Sequence, residues 1–311
     1  MNTVYYEKLE YEGRHEINGI MAFALKREFS LTRQKIKYNI EIITMFNTKR
    51  VFIKASGKVK EKQLFNLLCS LLRFECIYDG CFFALEKIAF DDVNRTDEFK
   101  DKMLSFYSGS HRYFQIKQPM DDKIYKKGFC AWERYDRKNN YLIQMFFYSS
   151  FTNGITADLR IALFSEIFEP LSKVLEEEGG LVVENSNPFL VKKNRCPKCN
   201  NKWESMSGRE PNFNDRITSV ITCFGEAIFE SDDTKKIVKK LVNTRNKILH
   251  LDKEKKDFLT GKQCGFYMKK FVLLFQLIVL EECGVFDTEV WLHTVEELKK
   301  YNLQFSRYRI K

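Results

Sequence analysis

Apolar positions along this chain change their period part-way. In residues 38–46 (YNIEIITMF) and 50–56 (RVFIKAS) apolar and polar side chains alternate, the two-residue period of a half-buried strand. Similar patterns in HRYFQIKQ (111–118), FCAWERYD (129–136) and YLIQMFFYS (141–149) predict three more strands. The last two are expected to pair through RKNN as an antiparallel hairpin. One helix interrupts this half at residues 60–72, where KEKQLFNLLCSLL spaces its apolar residues at helical intervals. Beyond residue 152 the period becomes helical. A helix is predicted from Thr156, a residue suited to the N-cap, to a glycine stop at Gly179, with a kink at Pro170. Further helices are predicted at 213–229, 234–251, 261–283 and 288–301. The polar stretch 182–212 reads as an insertion. The chain shows no internal repeat and no low-complexity tract. The expected architecture is α+β, with a mainly β N-terminal domain over 1–150 and an all-α helical bundle over 151–311.

Composition adds little to the fold but narrows the class. With 311 residues, 44% of them hydrophobic and 30% charged, the chain can bury one or two ordinary cores, and it is not a disordered or fibrous sequence. The first thirty residues show no signal-peptide pattern. The most apolar run, FVLLFQLIVL (271–280), covers ten residues between Lys269, Lys270, Glu281 and Glu282 and reads as a core helix rather than a bilayer span. A cytoplasmic protein with no membrane partner is expected. There is no P-loop and no dinucleotide fingerprint, so neither ATP nor a nicotinamide cofactor is implied. No acidic dyad stands out. The net charge of +10 favours an anionic partner.

Chemistry concentrates in LVNTRNKILHLDKEKK (241–256). On a wheel of about 100° per residue, Ile237, Val238, Leu241, Val242, Ile248 and Leu249 share one face, and Arg245 falls in its middle. Asn246 and His250, four apart, share one edge of that face, while Lys236, Lys239, Lys240 and Lys247 lie opposite. A guanidinium on an apolar face needs an anion, because desolvating an unpaired charge costs several kcal/mol. Two partners fit. One is an acid on a neighbouring helix, such as Glu166 or Glu169, in a structural ion pair. The other is a phosphate. Histidine exchanges protons near neutral pH, arginine meets charge building on phosphate, and asparagine can orient a ribose hydroxyl or the imidazole. Together they suit metal-free phosphodiester cleavage.

RNKILH (245–250) resembles the R-N-x-x-x-H signature of the HEPN superfamily, on a late helix of an all-α domain. The resemblance covers residues 152–311. It implies a helical-bundle domain that forms homodimers or higher oligomers with two motifs facing each other, and an endoribonuclease leaving 2′,3′-cyclic phosphate and 5′-hydroxyl ends without a metal. Carried onto this chain, Arg245 and His250 are catalytic and Asn246 supports them. A strand-rich half ahead of a HEPN-like domain with a cysteine pair is similar to the ApeA-type abortive-infection proteins of bacteria. That layout implies an antiphage effector or toxin cutting tRNA or other cellular RNA, with the N-terminal domain as sensor or regulator of an unknown trigger. Some HEPN domains instead dimerise and bind RNA or protein without cutting, so a noncatalytic module stays open.

Two features sit beside the motif. Cys196 and Cys199 have C-x-x-C spacing within the 182–212 insertion, half of a tetrahedral zinc site; they are a free thiol pair, a decayed zinc ribbon, or a structural zinc site shared across a dimer. The other seven of the nine cysteines (69, 76, 81, 130, 223, 264, 283) sit among apolar neighbours and read as core filler. Residues 233–256 carry nine Lys or Arg against three acids, and Lys239, Lys240 and Lys247 are the candidate contacts to an RNA backbone.

Overall fold

A computed structural model of the chain describes residues 4–310 apart from 15–24, 46–47, 101–112, 115, 117–120, 196–201, 231, 253, 255 and 286–287. By contact the chain divides into two compact units, residues 1–155 with 269–305 and residues 156–268 with 306–311. The class is α+β: an N-terminal antiparallel six-stranded sheet, then a mostly helical C-terminal region.

In the first unit the strands are β1 (Tyr5–Arg14), β2 (Leu25–Arg33), β3 (Ile36–Met45) and β4 (Thr48–Lys60); helix α1 (Glu61–Asp79) and strands β5 (Ala84–Phe90) and β6 (Val93–Asn94) follow. Their order in the sheet is β2-β3-β4-β1-β5-β6. Alternation sets the inner face. Tyr38, Ile40 and Ile42 of β3 and Val51, Ile53 and Ala55 of β4 are buried, whereas Asn39, Arg50 and Lys54 are exposed. Both edges are blunted. The outward N–H of Glu28 on β2 donates to the Asp122 carboxylate at 3.1 Å, and β6 is two residues long. Beneath the sheet, Leu64, Leu67, Leu68 and Leu71 of α1 are fully buried.

This core also holds charge. Lys49 on β4 has no exposed surface and pairs with both Glu75 and Asp79 of α1. The Tyr125 hydroxyl donates to Glu75, and the Arg27 guanidinium lies 4.6 Å above the Tyr125 ring. Burial alone lowers the Lys49 pKa, but the attraction of Asp79 and Glu75 outweighs it and raises the value above the ordinary lysine range.

After α2 (Thr96–Lys100) come α3 (Asp122–Lys138) and α4 (Asn140–Phe151), where the sequence pattern predicts a hairpin. The strands expected at 129–136 and 141–149 are therefore helical. Tyr125, Phe129, Trp132 and Asp136 recur at three- and four-residue steps on the buried side, and the Asp121 carboxylate caps α3 by accepting the Lys123 N–H at 2.6 Å. The KNN segment that resembles a turn is a joint between helices, with Asn139 at φ −112° and ψ 31°. Of the strand expected at 111–118, Tyr113, Phe114 and Ile116 are described and irregular, and the rest lies outside the described residues. The Tyr113 N–H donates to the Gly80 carbonyl at 2.6 Å. Gly80 has φ 60°, and a Cβ there would lie 2.3 Å from the Phe114 carbonyl oxygen, so this close approach requires glycine.

The helical region contains α5 (Ala157–Ser165), α6 (Phe168–Glu177), the hairpin β7 (Phe189–Arg195) and β8 (Lys202–Gly208), α7 (Phe213–Phe224), α8 (Thr234–Leu249), α9 (Gly261–Glu282) and α10 (Thr288–Gln304). The single kinked helix expected over 156–179 is two helices. Pro170 has no N–H to offer the Glu166 carbonyl and its ring crowds that oxygen, so the break falls four residues upstream of the proline. The polar insertion carries the β7–β8 hairpin, registered from Phe189 opposite Gly208 to Arg195 opposite Lys202. Helix α9 extends the ten-residue apolar run to twenty-two residues, and 83% of its most apolar window is buried. Within the first unit its Phe275 stacks on Phe146 at 4.3 Å. In the second unit the chain end clips the start of α8: the Ile310 carbonyl accepts the Asp233 N–H at 2.9 Å, and Arg309 pairs with Asp232 at 2.8 Å.

Candidate functional site

Helix α8 is capped by Asp233, whose carboxylate accepts the Lys236 N–H at 3.0 Å. Ile237, Val238, Leu241 and Thr244 form its buried stripe, packed with α5 and α7. Val242, Ile248 and Leu249, expected on the same face, are half-buried. Thr244 works in both directions: its hydroxyl donates to the Lys240 carbonyl at 2.7 Å and accepts the Leu259 N–H at 2.9 Å.

Arg245 is half-buried at the border of this stripe and is held on three sides. Its Nε and Nη2 both face the Glu166 carboxylate, the Nη2 contact measuring 3.3 Å. Nη1 donates to Asn246 Oδ1 at 3.2 Å, and the guanidinium lies 4.4 Å over the Phe213 ring. Of the five N–H groups that an arginine carries, contacts among the described residues take three. The acid expected opposite Arg245 is thus Glu166, the C-cap of α5; Glu169 pairs with Lys173 instead.

His250 is the C-cap of α8 and is exposed. The helix end is set by backbone bonds: the Asn246 carbonyl accepts the N–H of His250 at 3.1 Å and that of Asp252 at 3.2 Å. Leu251 between them takes φ 54°, the left-handed conformation common one residue past a helix end. Asn246 therefore supports both Arg245, through its side chain, and the turn that carries His250, through its carbonyl.

The three lysines expected to contact RNA differ in state. Lys239 is exposed. Lys240 pairs with Asp257 at 2.7 Å, and the Lys247 ammonium sits 3.3 Å over the Phe258 ring. Asn243 Nδ2 also donates to the Asp257 carbonyl at 2.7 Å, so the segment after α8 is tied back along the helix. The hydrogen bond from Lys240 holds the Asp257 carboxyl below its ordinary range. Asp158 at the start of α5 is held low by the Thr156 hydroxyl, with a further contribution from Lys247.

Cys196 and Cys199 lie outside the described residues. Among the described residues no group of three or more His, Cys, Asp or Glu has a metal-binding arrangement. The reading of all other cysteines as core filler needs correction at Cys223, which is exposed; Cys69 and Cys130 are half-buried, and Cys76, Cys81, Cys264 and Cys283 are buried.

Residues 183–289 match the family model of the Apea-like HEPN domain. The chain carries an Apea-like HEPN domain. HEPN domains of this type are defence-associated, are often ribonucleases, and in nucleases typically act without a metal. No curated protein and no solved structure matches the chain. The HEPN domain includes the β7–β8 hairpin, α7, α8 and α9, and with them Arg245, Asn246, His250 and Phe213. Glu166 precedes it. Phe213 gives no signal in the sequence, because an aromatic residue thirty-two positions before an arginine has no linear pattern to announce it.

Proposed function

We propose that the HEPN domain is a metal-independent endoribonuclease acting on tRNA or other cellular RNA in bacterial antiphage defence. The observation that carries this reading is Arg245: half-buried, fixed by Glu166, Asn246 and Phe213, with two N–H groups that no described residue takes, on the helix that ends at exposed His250. An arginine fixed before substrate arrives offers charge to a phosphate without reorganising. In the reaction the ribose 2′-oxygen attacks phosphorus and the bond to the 5′-oxygen breaks. His250 takes the 2′-hydroxyl proton and supplies one to the leaving 5′-oxygen, Arg245 holds the phosphate oxygens, and Asn246 keeps Arg245 and the histidine-bearing turn in place. The products are a 2′,3′-cyclic phosphate and a 5′-hydroxyl.

The active form is a homodimer or higher oligomer in the cytoplasm, with the N-terminal sheet unit as regulator. A zinc held by Cys196 and Cys199 of two copies is structural in this scheme, and metal analysis of the purified protein tests it. A second reading draws on the same ion pair. Glu166 neutralises Arg245, so an HEPN module that binds RNA or protein without cutting needs no further partner for it. The variant His250→Ala separates the two readings. A nuclease loses cleavage and keeps its fold and RNA affinity, whereas wild-type protein of a binding module shows no cleavage to lose.

A further inference from the structure

Glu166 precedes the span matched by the HEPN family model and is carried by a helix end that Pro170 creates. Its carboxylate occupies the Nε and Nη2 side of Arg245, while Asn246 takes one Nη1 hydrogen and Phe213 supports one face of the guanidinium. Without the carboxylate, stacking and a single bond to Asn246 would not fix the plane of a side chain with so many rotatable bonds. Its charge also offsets that of Arg245 before substrate arrives.

We infer that Glu166 is a positioning residue for RNA cleavage, orienting Arg245 so that its two remaining N–H groups meet the phosphate as charge develops on it. This rests on the ribonuclease reading. It differs from a structural ion pair in what it does to kinetics. Glu166→Gln keeps the size of the side chain and removes the charge, so Arg245 gains freedom while the site becomes more positive. A displacement of about 1 Å at a positioned group can cost roughly a hundredfold in rate. At the same time RNA is attracted more strongly to a site that has lost an anion. The expected signature is kcat lowered about 10- to 100-fold with KM unchanged or lower.

The test uses the full chain and a fluorescent single-stranded RNA, comparing wild type, Glu166→Gln and Glu166→Asp after circular dichroism has established the folded fraction of each. Glu166→Asp keeps the charge but on an arm one methylene shorter, and is expected to restore only part of the kcat lost in Glu166→Gln, with KM returning to the wild-type value. Wild-type kcat in folded Glu166→Gln overturns the inference. So does a rise in KM matching the fall in kcat, or a loss explained by the unfolded fraction alone in both variants. Wild-type protein that binds the RNA but never cuts it removes the ribonuclease reading, and the inference falls with it.

Discussion

The turn that presents His250 carries strain that can be removed. Leu251 has φ 54° and is 76% exposed, so its side chain contributes little packing while its backbone sits where residues with a Cβ are disfavoured. The left-handed conformation costs such a residue about 1–2 kcal/mol. Glycine removes that cost, and its greater freedom in the unfolded chain returns about 0.4–1 kcal/mol of it. Leu251→Gly is therefore expected to stabilise the turn by roughly 0.5–1 kcal/mol, which lowers the open population about two- to fivefold. The assay is hydrogen exchange at the His250 and Asp252 amides, both bonded to the Asn246 carbonyl. Exchange at these amides should slow by that factor, and the control Leu251→Val, β-branched at the same φ, should speed it. Faster exchange in Leu251→Gly would refute the argument, because it would mean that the leucine side chain contributes more than the backbone strain costs. Since glycine preserves the turn, RNA cleavage should be unaffected.

Other expectations follow from the ion pairs. Lys49→Met leaves Glu75 and Asp79 facing each other in the core, and removing one partner of a buried pair costs about 3–5 kcal/mol; urea unfolding should show a correspondingly lower midpoint. Because the Lys49 pKa is raised in the folded protein, its contribution is complete below the unfolded lysine value of about 10.4 and is lost as pH rises through the folded value. Wild-type protein should thus lose stability above about pH 10.4, and Lys49→Met should lose less over the same range. Asp257→Asn releases Lys240 for a phosphate. In the His250→Ala background it should tighten RNA binding and steepen the slope of log K against log salt by about 0.7 for single-stranded RNA; an unchanged slope would show that Lys240 does not contact the backbone.

Much of the helical region is legible because its apolar residues repeat at helical steps. Asp233 and Asn212 sit at N-caps, and apolar residues repeat at helical steps between them and the next breaks. The motif residues could be placed on one helix for the same reason. The N-terminal half was harder. Strand β1 buries Tyr6, then Leu9 and Tyr11, because a register shift between Tyr6 and Lys8 interrupts the two-residue period. Its alternation is hidden in the linear sequence. At 129–149 the conflict runs the other way: Phe129, Trp132, Tyr135 and Ile143 are residue types favoured in strands, whereas the three- and four-residue steps from Tyr125 through Phe129 and Trp132 to Asp136 are those of a helix, and they are the ones buried in α3. There the Trp132 indole N–H donates to the Ser70 carbonyl at 3.1 Å. Aromatic residues fit either element when they have a core to pack against, so composition cannot decide. The pairing of Arg245 could be narrowed to Glu166 or Glu169, but the choice depends on where Pro170 breaks the chain. The stacking on Phe213 depends on tertiary packing between α7 and α8.

Arg245, Asn246 and His250 are proposed to cut RNA without a metal. The most direct test is to incubate wild-type and His250→Ala protein with total bacterial RNA in EDTA and map the chemistry of the new ends. Cuts with 2′,3′-cyclic phosphate and 5′-hydroxyl ends are expected from wild type alone. Cuts that persist in His250→Ala, or that carry 3′-hydroxyl and 5′-phosphate ends, would contradict the proposal.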